Sequence, residues 1–360
     1  MRQWSAARLL PILSWLPGYR REDAAADAVA AVIVAVMAIP QSLAYAMLAG
    51  LPPQAGLYAS ILPLIAYALF GSSSVLSVGP VAVISLLTAS AVGAVADPGS
   101  PEYLTATLVL AAAVGAVLLL MGALRLGWVA NYLSYPVLSG FISASAILIA
   151  SSQLTHVLGV PVRGDGLVEL LGNALRQLPQ AHWPTVLLAV AAIVSLAAAH
   201  RYGKTLLQAL GLRAGLAGLL SSASSVVVVL LAIAIVAAAD LAEAGVAIVG
   251  SIPRALPPLT MPVLEPALWR ELLPAAVMIA LIGFVQSISM AQMLAAKRRE
   301  RVEANRELLG LGAANLAAAI SGGLPVSGGV ARSAVGFAIG ARTPMGACSV
   351  PWAWPWWCST

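Results

Sequence analysis

The chain has 360 residues, of which 61% are hydrophobic and only 9% are charged, and its mean hydropathy is +0.94. A soluble domain carries about 25% charged residues, so this composition excludes a water-soluble protein and predicts an all-α, polytopic membrane protein. The formal net charge of +5 reflects the placement of basic loops and does not indicate nucleic-acid binding. Two cysteines, Cys348 and Cys358, both lie near the end of the chain and imply no disulfide framework.

Ten apolar segments follow a lead-in at residues 1–23 that is predicted to be cytoplasmic. They lie at residues 24–48, 55–70, 80–96, 103–124, 131–151, 183–200, 217–239, 272–294, 304–321 and 329–341, the last being a half-helix. A polar stretch at 152–182 separates the fifth and sixth segments. A proline-rich loop at 240–271, predicted to be extracytoplasmic, separates the seventh and eighth, and residues 346–360 form an atypical, tryptophan-rich tail.

The basic residues predict the orientation. If the N-terminus is cytoplasmic, four basic residues lie in outside loops and thirteen lie inside, which agrees with the positive-inside rule. The inside residues are Arg2, Arg8, Arg20, Arg21, Arg125, Arg201, Lys204, Arg213, Lys297, Arg298, Arg299, Arg301 and Arg306; the outside ones are Arg163, Arg176, Arg254 and Arg270.

The third and tenth segments share an interruption. Gly79-Pro80-Val81-Ala82 matches Gly328-Gly329-Val330-Ala331, and a serine precedes each motif closely. Non-helical backbone survives inside a membrane only where protein or a wet cavity satisfies it. Paired interruptions of this kind predict a transporter site near the bilayer midplane, where two helix N-termini, each partly positive, face an anion. The alternative is that glycine and proline are simply common in membrane helices.

A second similarity has the same spacing. Gln41-Ser42-Leu43-Ala44 in the first segment is similar to Gln286-Ser287-Ile288-Ser289 in the eighth, so both matches are seven segments apart. Because seven is odd, the second copy is inverted in the membrane, as in many secondary transporters. The first inverted repeat is predicted over residues 24–239 and a partial second repeat over residues 272–345.

The run from Ile39 to Ala46, the motif Gly56-Leu57-Tyr58-Ala59-Ser60, and the run from Phe70 to Ala82 resemble the signature region of the SulP anion permeases. The resemblance extends over roughly residues 20–345. It implies fourteen membrane segments in two inverted repeats of seven, a core domain that moves against a gate domain, a cytoplasmic STAS domain, and a homodimer. Relative to that pattern the chain ends after the tenth segment, without four membrane segments and the STAS domain.

The resemblance also implies the substrate-binding residues, between the N-termini of the third and tenth helices. They are Gln41, Tyr45, Gly79, Pro80, Val81, Ala82, Val330, Ala331, Arg332 and Ser333. Arg332 would attract the anion; the alternative is an arginine that snorkels to an interface. Gln41 and Tyr45, one helical turn apart, have interhelical hydrogen bonding and core packing as their alternatives. The serines, including Ser77 and Ser327, also permit close helix packing.

One coupling position departs from the family. Many bacterial members have a glutamate where this chain has Gln286, and an amide side chain cannot titrate. The sequence therefore does not predict coupling to H⁺ or Na⁺ through titration at this position, and structural hydrogen bonding is the alternative role of Gln286.

Nothing in the sequence indicates an enzyme, a cofactor or a metal site. His156, His182 and His200 lack the spacing of metal ligands, and hydrolase and nucleotide-binding motifs are missing. The leading hypothesis is a secondary active transporter of small anions in the cytoplasmic (inner) membrane, with sulfate-like oxyanions, bicarbonate, chloride or a dicarboxylate as substrates. A non-transporting fragment and a channel-like anion conductor are the alternatives.

Overall fold

The computed structural model describes residues 19–132, 140, 143–144, 146–147, 149–151, 153–161, 167–209, 211, 224–248 and 257–343. The described residues divide into two compact units. The first is drawn from Met1–Leu138 and Ile252–Thr360, and the second from Ser139–Ser251. The first unit thus joins elements of both predicted repeats, and the repeat boundaries stay a prediction.

Helices dominate the described residues. The first unit begins with α1 (Arg21–Leu48), α2 (Pro53–Tyr58), α3 (Leu62–Phe70), β1 (Val78–Gly79), α4 (Ala82–Val92) and α5 (Pro101–Ala123), and a 3₁₀ helix (Leu126–Tyr132) follows. The second unit contains α6 (Leu154–Leu158), α7 (Leu167–Gln177), α8 (Trp183–Ala209) and α9 (Ser224–Ala238). The chain then returns to the first unit with α10 (Pro266–Arg298), α11 (Ala304–Ile320), β2 (Ser327–Gly328) and α12 (Val330–Ile339).

Most of the predicted segments coincide with these helices. Among the described residues, five stretches are long and apolar enough to cross a membrane: Arg21–Leu48, Pro53–Phe70, Pro101–Ala123, Trp183–Ala209 and Pro266–Arg298. The interrupted segments yield the short apolar helices Ala82–Val92 and Val330–Ile339, as predicted. The fifth segment, 131–151, and the tail at 346–360 lie largely or wholly outside the described residues.

Two features differ from the sequence-based expectation. The second segment is not continuous, because α2 ends at Tyr58 and α3 begins at Leu62. The polar stretch 152–182 contains α7, whose apolar residues follow a helical period although the stretch as a whole is polar. On α7, Ala174 is buried in a small cluster with Leu158 and Ala181, whereas Val168 is 86% exposed.

The core of the first unit centres on α11, which packs against α3 and α5. Small residues allow the closest approach. A methyl group on Gly115 would lie 2.9 Å from the backbone nitrogen of Leu316, and one on Gly312 would lie 2.8 Å from the side chain of Leu119. Helices that meet in a membrane gain dispersion energy from such close contact, since lipid supplies no hydrophobic driving force between them. The core that results holds α10 and the two interrupted segments in place.

Candidate functional site

The two interruptions meet as a pair of short strands. β1 and β2 are antiparallel, with Val78 opposite Gly328 and Gly79 opposite Ser327. Beside this pair the backbone N–H of Gly329 donates to the carbonyl oxygen of Ser77 at 2.8 Å. Part of the non-helical backbone of each interruption therefore finds its hydrogen-bond partners in the other. Protein partners of this kind are what non-helical backbone needs at membrane depth.

Each strand leads directly into a helix. Val81 is extended (φ −137°, ψ 145°) immediately before α4, and Gly329 is extended (φ −82°, ψ 110°) immediately before α12. No side chain caps either N-terminus. Both ends therefore retain free N–H groups and the positive end of the helix dipole.

A cavity of about 200 Å³ lies at these two helix ends. Four elements supply its walls: α1, the start of α4, the middle of α10, and the start of α12. The lining residues are Gln41, Tyr45, Pro80, Val81, Ala82, Val83, Gln286, Gly329, Val330, Ala331 and Arg332. The structure thus brings together most of the residues that the sequence assigned to one site.

Arg332 provides the only full charge of this lining. Its side chain is only 3% exposed, and one guanidinium N–H, on Nη2, donates to the carbonyl oxygen of Pro80 at 2.9 Å. Among the described residues, no carboxylate forms an ion pair with it. Its burial excludes the snorkelling alternative. A buried, unpaired guanidinium is unfavourable unless an anion or water accepts from its remaining N–H groups.

Three polar side chains share the cavity with Arg332. Gln41 and Tyr45 lie one turn apart on α1, and Gln286 enters from α10. The carbonyl oxygen of Gln286 is buried, with no hydrogen-bond partner in the described part of the chain. A buried amide oxygen without a partner costs free energy, so the structural hydrogen bonding considered for Gln286 is not what this geometry shows.

Gly79 and Ser333, which the sequence also assigned to the site, lie behind this lining. Ser333 is fully buried and accepts a hydrogen bond from the N–H of Ser77 at 2.9 Å. Gly79 lies in β1 against the guanidinium of Arg332. Val83 and Gly329 were not singled out from the sequence, although Gly329 stands in the motif that did identify the site.

Ser287, on α10, is hydrogen-bonded to β2. It donates to the carbonyl oxygen of Gly283 at 2.7 Å and accepts from the N–H of Gly328 at 2.8 Å. Its hydroxyl also lies 2.9 Å from that of Ser327. The serines of this motif therefore form hydrogen bonds with the backbone around the interruption, in addition to permitting close helix packing.

Side chains of α11 form hydrogen bonds with the residues that precede each of the two strands. Asn315 exchanges two hydrogen bonds with the backbone of Val326, at 2.9 and 3.0 Å, just before β2. Two turns earlier, the fully buried Glu307 accepts hydrogen bonds from Tyr67 Oη (2.7 Å) and from the backbone N–H groups of Ser72 and Ser73 (2.9 Å each), which precede β1. Glu307 was not singled out from the sequence, although a carboxylate within an apolar segment is itself a signal.

The histidines do not form a metal site in the described residues, where no cluster of potential metal ligands occurs. His182 lies 2.7 Å from Thr185 Oγ1 and 2.8 Å from the carbonyl oxygen of Ala244 within the second unit. It therefore has a structural partner on each ring nitrogen.

A family model described as the sulfate permease family matches residues 25–348. Sulfate transporter 4.1, chloroplastic, of Arabidopsis thaliana is 35% identical over 332 residues, covering 91% of this chain and 46% of that protein. The probable sulfate transporter MT1781 of Mycobacterium tuberculosis (strain CDC 1551 / Oshkosh) is 36% identical over 337 residues, covering 92% of this chain and 57% of that protein. The chain thus spans about half the length of these relatives.

Solved structures share the fold. The murine anion transporter Slc26a9 in its inward-facing state gives a TM-score of 0.83 at 23% identity, covering 98% of this chain and 60% of that chain. The transmembrane domain of the cyanobacterial bicarbonate transporter BicA gives 0.79 at 20% identity, covering 93% of this chain and 82% of that chain. These similarities confirm the predicted all-α, inverted-repeat transporter fold.

The matches also agree with the absence of enzyme signatures in the sequence, because the relatives and the family are named for transport. They extend over most of the chain, and the family match includes both interrupted segments. The chain belongs to the sulfate permease family.

Proposed function

We propose that this chain forms the anion-binding part of a secondary active transporter that moves small anions by alternating access. The observation that carries the proposal is Arg332, a buried guanidinium without a carboxylate partner in the described residues, beside a cavity of about 200 Å³. Two helix N-termini face the same cavity and add partial positive charge. An anion in this position satisfies charges and donors that the protein leaves unpaired.

Each side of the cavity has a distinct role in this proposal. The N–H groups at Val81, Ala82, Val330 and Ala331 offer backbone donors, and Arg332 supplies a full charge. Gln41 and Tyr45 donate from α1. Gly79 and Ser333 shape the site from behind, through Arg332 and Ser77 respectively.

Small anions are the substrate class that this site suits. Backbone N–H groups and one guanidinium bind sulfate-like oxyanions, bicarbonate, chloride or a small dicarboxylate through the same contacts. The Arabidopsis and mycobacterial relatives are both called sulfate transporters, which supports an oxyanion within this class.

The decisive experiment measures uptake of radiolabelled sulfate and bicarbonate into proteoliposomes. Arg332→Glu replaces the positive charge of the site with a negative one, and we expect it to abolish saturable uptake. Arg342→Gln is the matched control, since Arg342 is 56% exposed at its side chain and pairs with Asp23 at the surface. Saturable uptake by the native protein that Arg332→Glu leaves unchanged would refute the proposed role of Arg332.

The same experiment separates the alternatives. Helix α8 has no buried residue, which favours a non-transporting scaffold as the second candidate. Absence of flux in liposomes made from the 360-residue chain supports that candidate. Saturable counter-transport supports a carrier, and large ohmic currents support a channel.

We further propose that the protein lies in the cytoplasmic (inner) membrane with its N-terminus in the cytoplasm, and that it forms a homodimer. The thirteen-to-four distribution of basic residues supports the orientation. Labelling of single cysteines with a membrane-impermeant maleimide in spheroplasts tests it, once the two native cysteines are replaced by serine. We expect Pro98→Cys, between α4 and α5, to react from outside and Glu300→Cys to be protected. The reverse pattern would invert the topology.

A further inference from the structure

We propose that Asp27 is a positioning residue for the anion site: it fixes the end of α12 against α1 and thereby sets the place of Arg332 relative to Gln41 and Tyr45. The inference rests on the proposed function and names a residue that does not itself line the cavity. Three observations carry it: the hydrogen bonds of the Asp27 carboxylate, the spacing of residues along α1, and a void between α1 and α12.

The carboxylate of Asp27 accepts hydrogen bonds from the residues that follow α12. Asp27 is 2% exposed. Its Oδ1 accepts from the N–H of Arg342 at 2.6 Å and from the N–H of Thr343 at 3.2 Å. Its Oδ2 accepts from the hydroxyl of Thr343 and, at 3.2 Å, from that of Tyr19. Hydrogen bonds to an ionised carboxylate are about twice as strong as neutral ones, so this contact is a firm attachment for the end of α12.

The face of α1 that carries Asp27 leads to the cavity. Asp27, Val34 and Gln41 are spaced by seven residues, or about two turns each, and therefore lie along one face of α1. Helix α12 runs along this face in the opposite direction. Its Arg332 shares the cavity with Gln41, a methyl group on its Gly336 would touch Val34 at 3.5 Å, and Thr343 beyond its end meets Asp27.

A narrow void marks the seam between the two helices. It measures about 10 Å³, close to the room that one water needs, and it reaches from Thr343 and Ala341 past Val34 to Arg332. The contact of Asp27 with Thr343 lies at the far end of this seam. If the contact is lost, the end of α12 is less firmly held against α1, and water gains access to Arg332 from behind. Hydrated in this way, the guanidinium attracts an anion in the cavity less strongly.

The test compares two aspartates of the same helix. Asp27→Asn keeps the size of the side chain but removes the charge that binds four donors. Asp23→Asn makes the same change one turn earlier, at a surface pair in which Asp23 lies 2.6 Å from Arg342 Nη1. For each reconstituted protein, sulfate and bicarbonate are titrated and the melting temperature and the KM of uptake are measured.

We expect Asp27→Asn to raise the KM and the anion concentration for half-maximal thermal stabilisation about tenfold, and Asp23→Asn to leave both within a factor of about two. Thr343→Val removes one donor and keeps the charge of Asp27, so it should raise both quantities less. If Asp27→Asn does not fold, Thr343→Val replaces it in the test. A merely structural role would lower the melting temperature of the anion-free protein while the anion concentration for half-maximal stabilisation stays unchanged.

That last result, in a native protein that anions do stabilise, would overturn the role of Asp27 and leave the proposed function intact. A native protein that neither sulfate nor bicarbonate stabilises, and that takes up neither, would overturn the anion site and the positioning role together.

Discussion

Arg332 lies directly against the backbone of Gly79. A methyl group on Gly79 would be 2.8 Å from Nη2 and 2.9 Å from Nη1 of the guanidinium, closer than side chains normally approach. The glycine of the first interruption thus makes room for the arginine that follows the second, although 252 residues separate Pro80 from Arg332 in their hydrogen bond. The two interruptions are complementary in shape as well as in hydrogen bonding.

Gly79→Ala should therefore weaken anion binding by displacing Arg332. The guanidinium is the movable partner, so we expect the KM for the anion to rise about tenfold while the loss of stability stays modest. Gly336→Ala is the control, because its added methyl would meet only Val34 at an ordinary 3.5 Å. Transport assays of both variants check this, and equal KM values would show that Gly79 does not set the position of Arg332.

Ser287→Ala should destabilise the fold at β2. The substitution leaves the buried N–H of Gly328 without its acceptor, which costs about 1–3 kcal/mol. Ser289→Ala, on the same helix but at a half-buried position, removes a hydroxyl with no such partner. Thermal unfolding in detergent should separate the two variants; similar melting temperatures would contradict the role assigned to Ser287.

Glu307→Gln tests the attachment of α11 to the segment before β1. Glutamine keeps the shape but loses the charge that gathers the N–H groups of Ser72 and Ser73, so we expect a loss of about 1–3 kcal/mol in stability. Glu303→Gln removes a carboxylate that is 64% exposed and paired with Arg306, and should cost less than about 1 kcal/mol. The melting temperatures of the two variants are compared with that of the native protein. A larger loss for Glu303→Gln than for Glu307→Gln would contradict the role assigned to Glu307.

Gln286→Glu should make anion uptake depend on pH. An ionised carboxylate in the lining opposes the charge of Arg332 and repels the anion, whereas the protonated form resembles the native amide. Uptake by this variant should therefore rise as the pH falls, more steeply than that of the native protein. Gln208→Glu, at an exposed position near the end of α8, should follow the native profile. Parallel profiles for the native protein and Gln286→Glu would place Gln286 away from the anion.

Local patterns explain why the position of the cavity could be predicted from the sequence. Each interruption is a motif of four consecutive residues. The similarity of the two motifs, and the offset of seven segments that they share with the other matching pair, indicate inverted copies that meet. Gln41 as a site residue and Gln286 as the coupling position came from the family resemblance, and the structure places both in the cavity. The family resemblance added Tyr45 and Arg332, which also line it.

Contacts between distant residues explain what the sequence did not show. Nothing near Glu307 indicates that its partners are Ser72 and Ser73, and nothing near Asp27 points to Thr343, 316 residues away. The break between α2 and α3 was missed because apolar residues continue through it. Periodicity describes how one segment is buried, whereas these features depend on which segments become neighbours.

Through the pairing of β1 with β2, each interrupted membrane segment stabilises the non-helical backbone of the other. In a solvent that offers no water, the peptide groups through which the two strands pair have no substitute partner, so each interruption depends on its counterpart. Deleting either short strand should orphan the polar backbone of the survivor. The two breaks in the helices therefore depend on each other, and we expect a change that removes one strand to disturb the other as well.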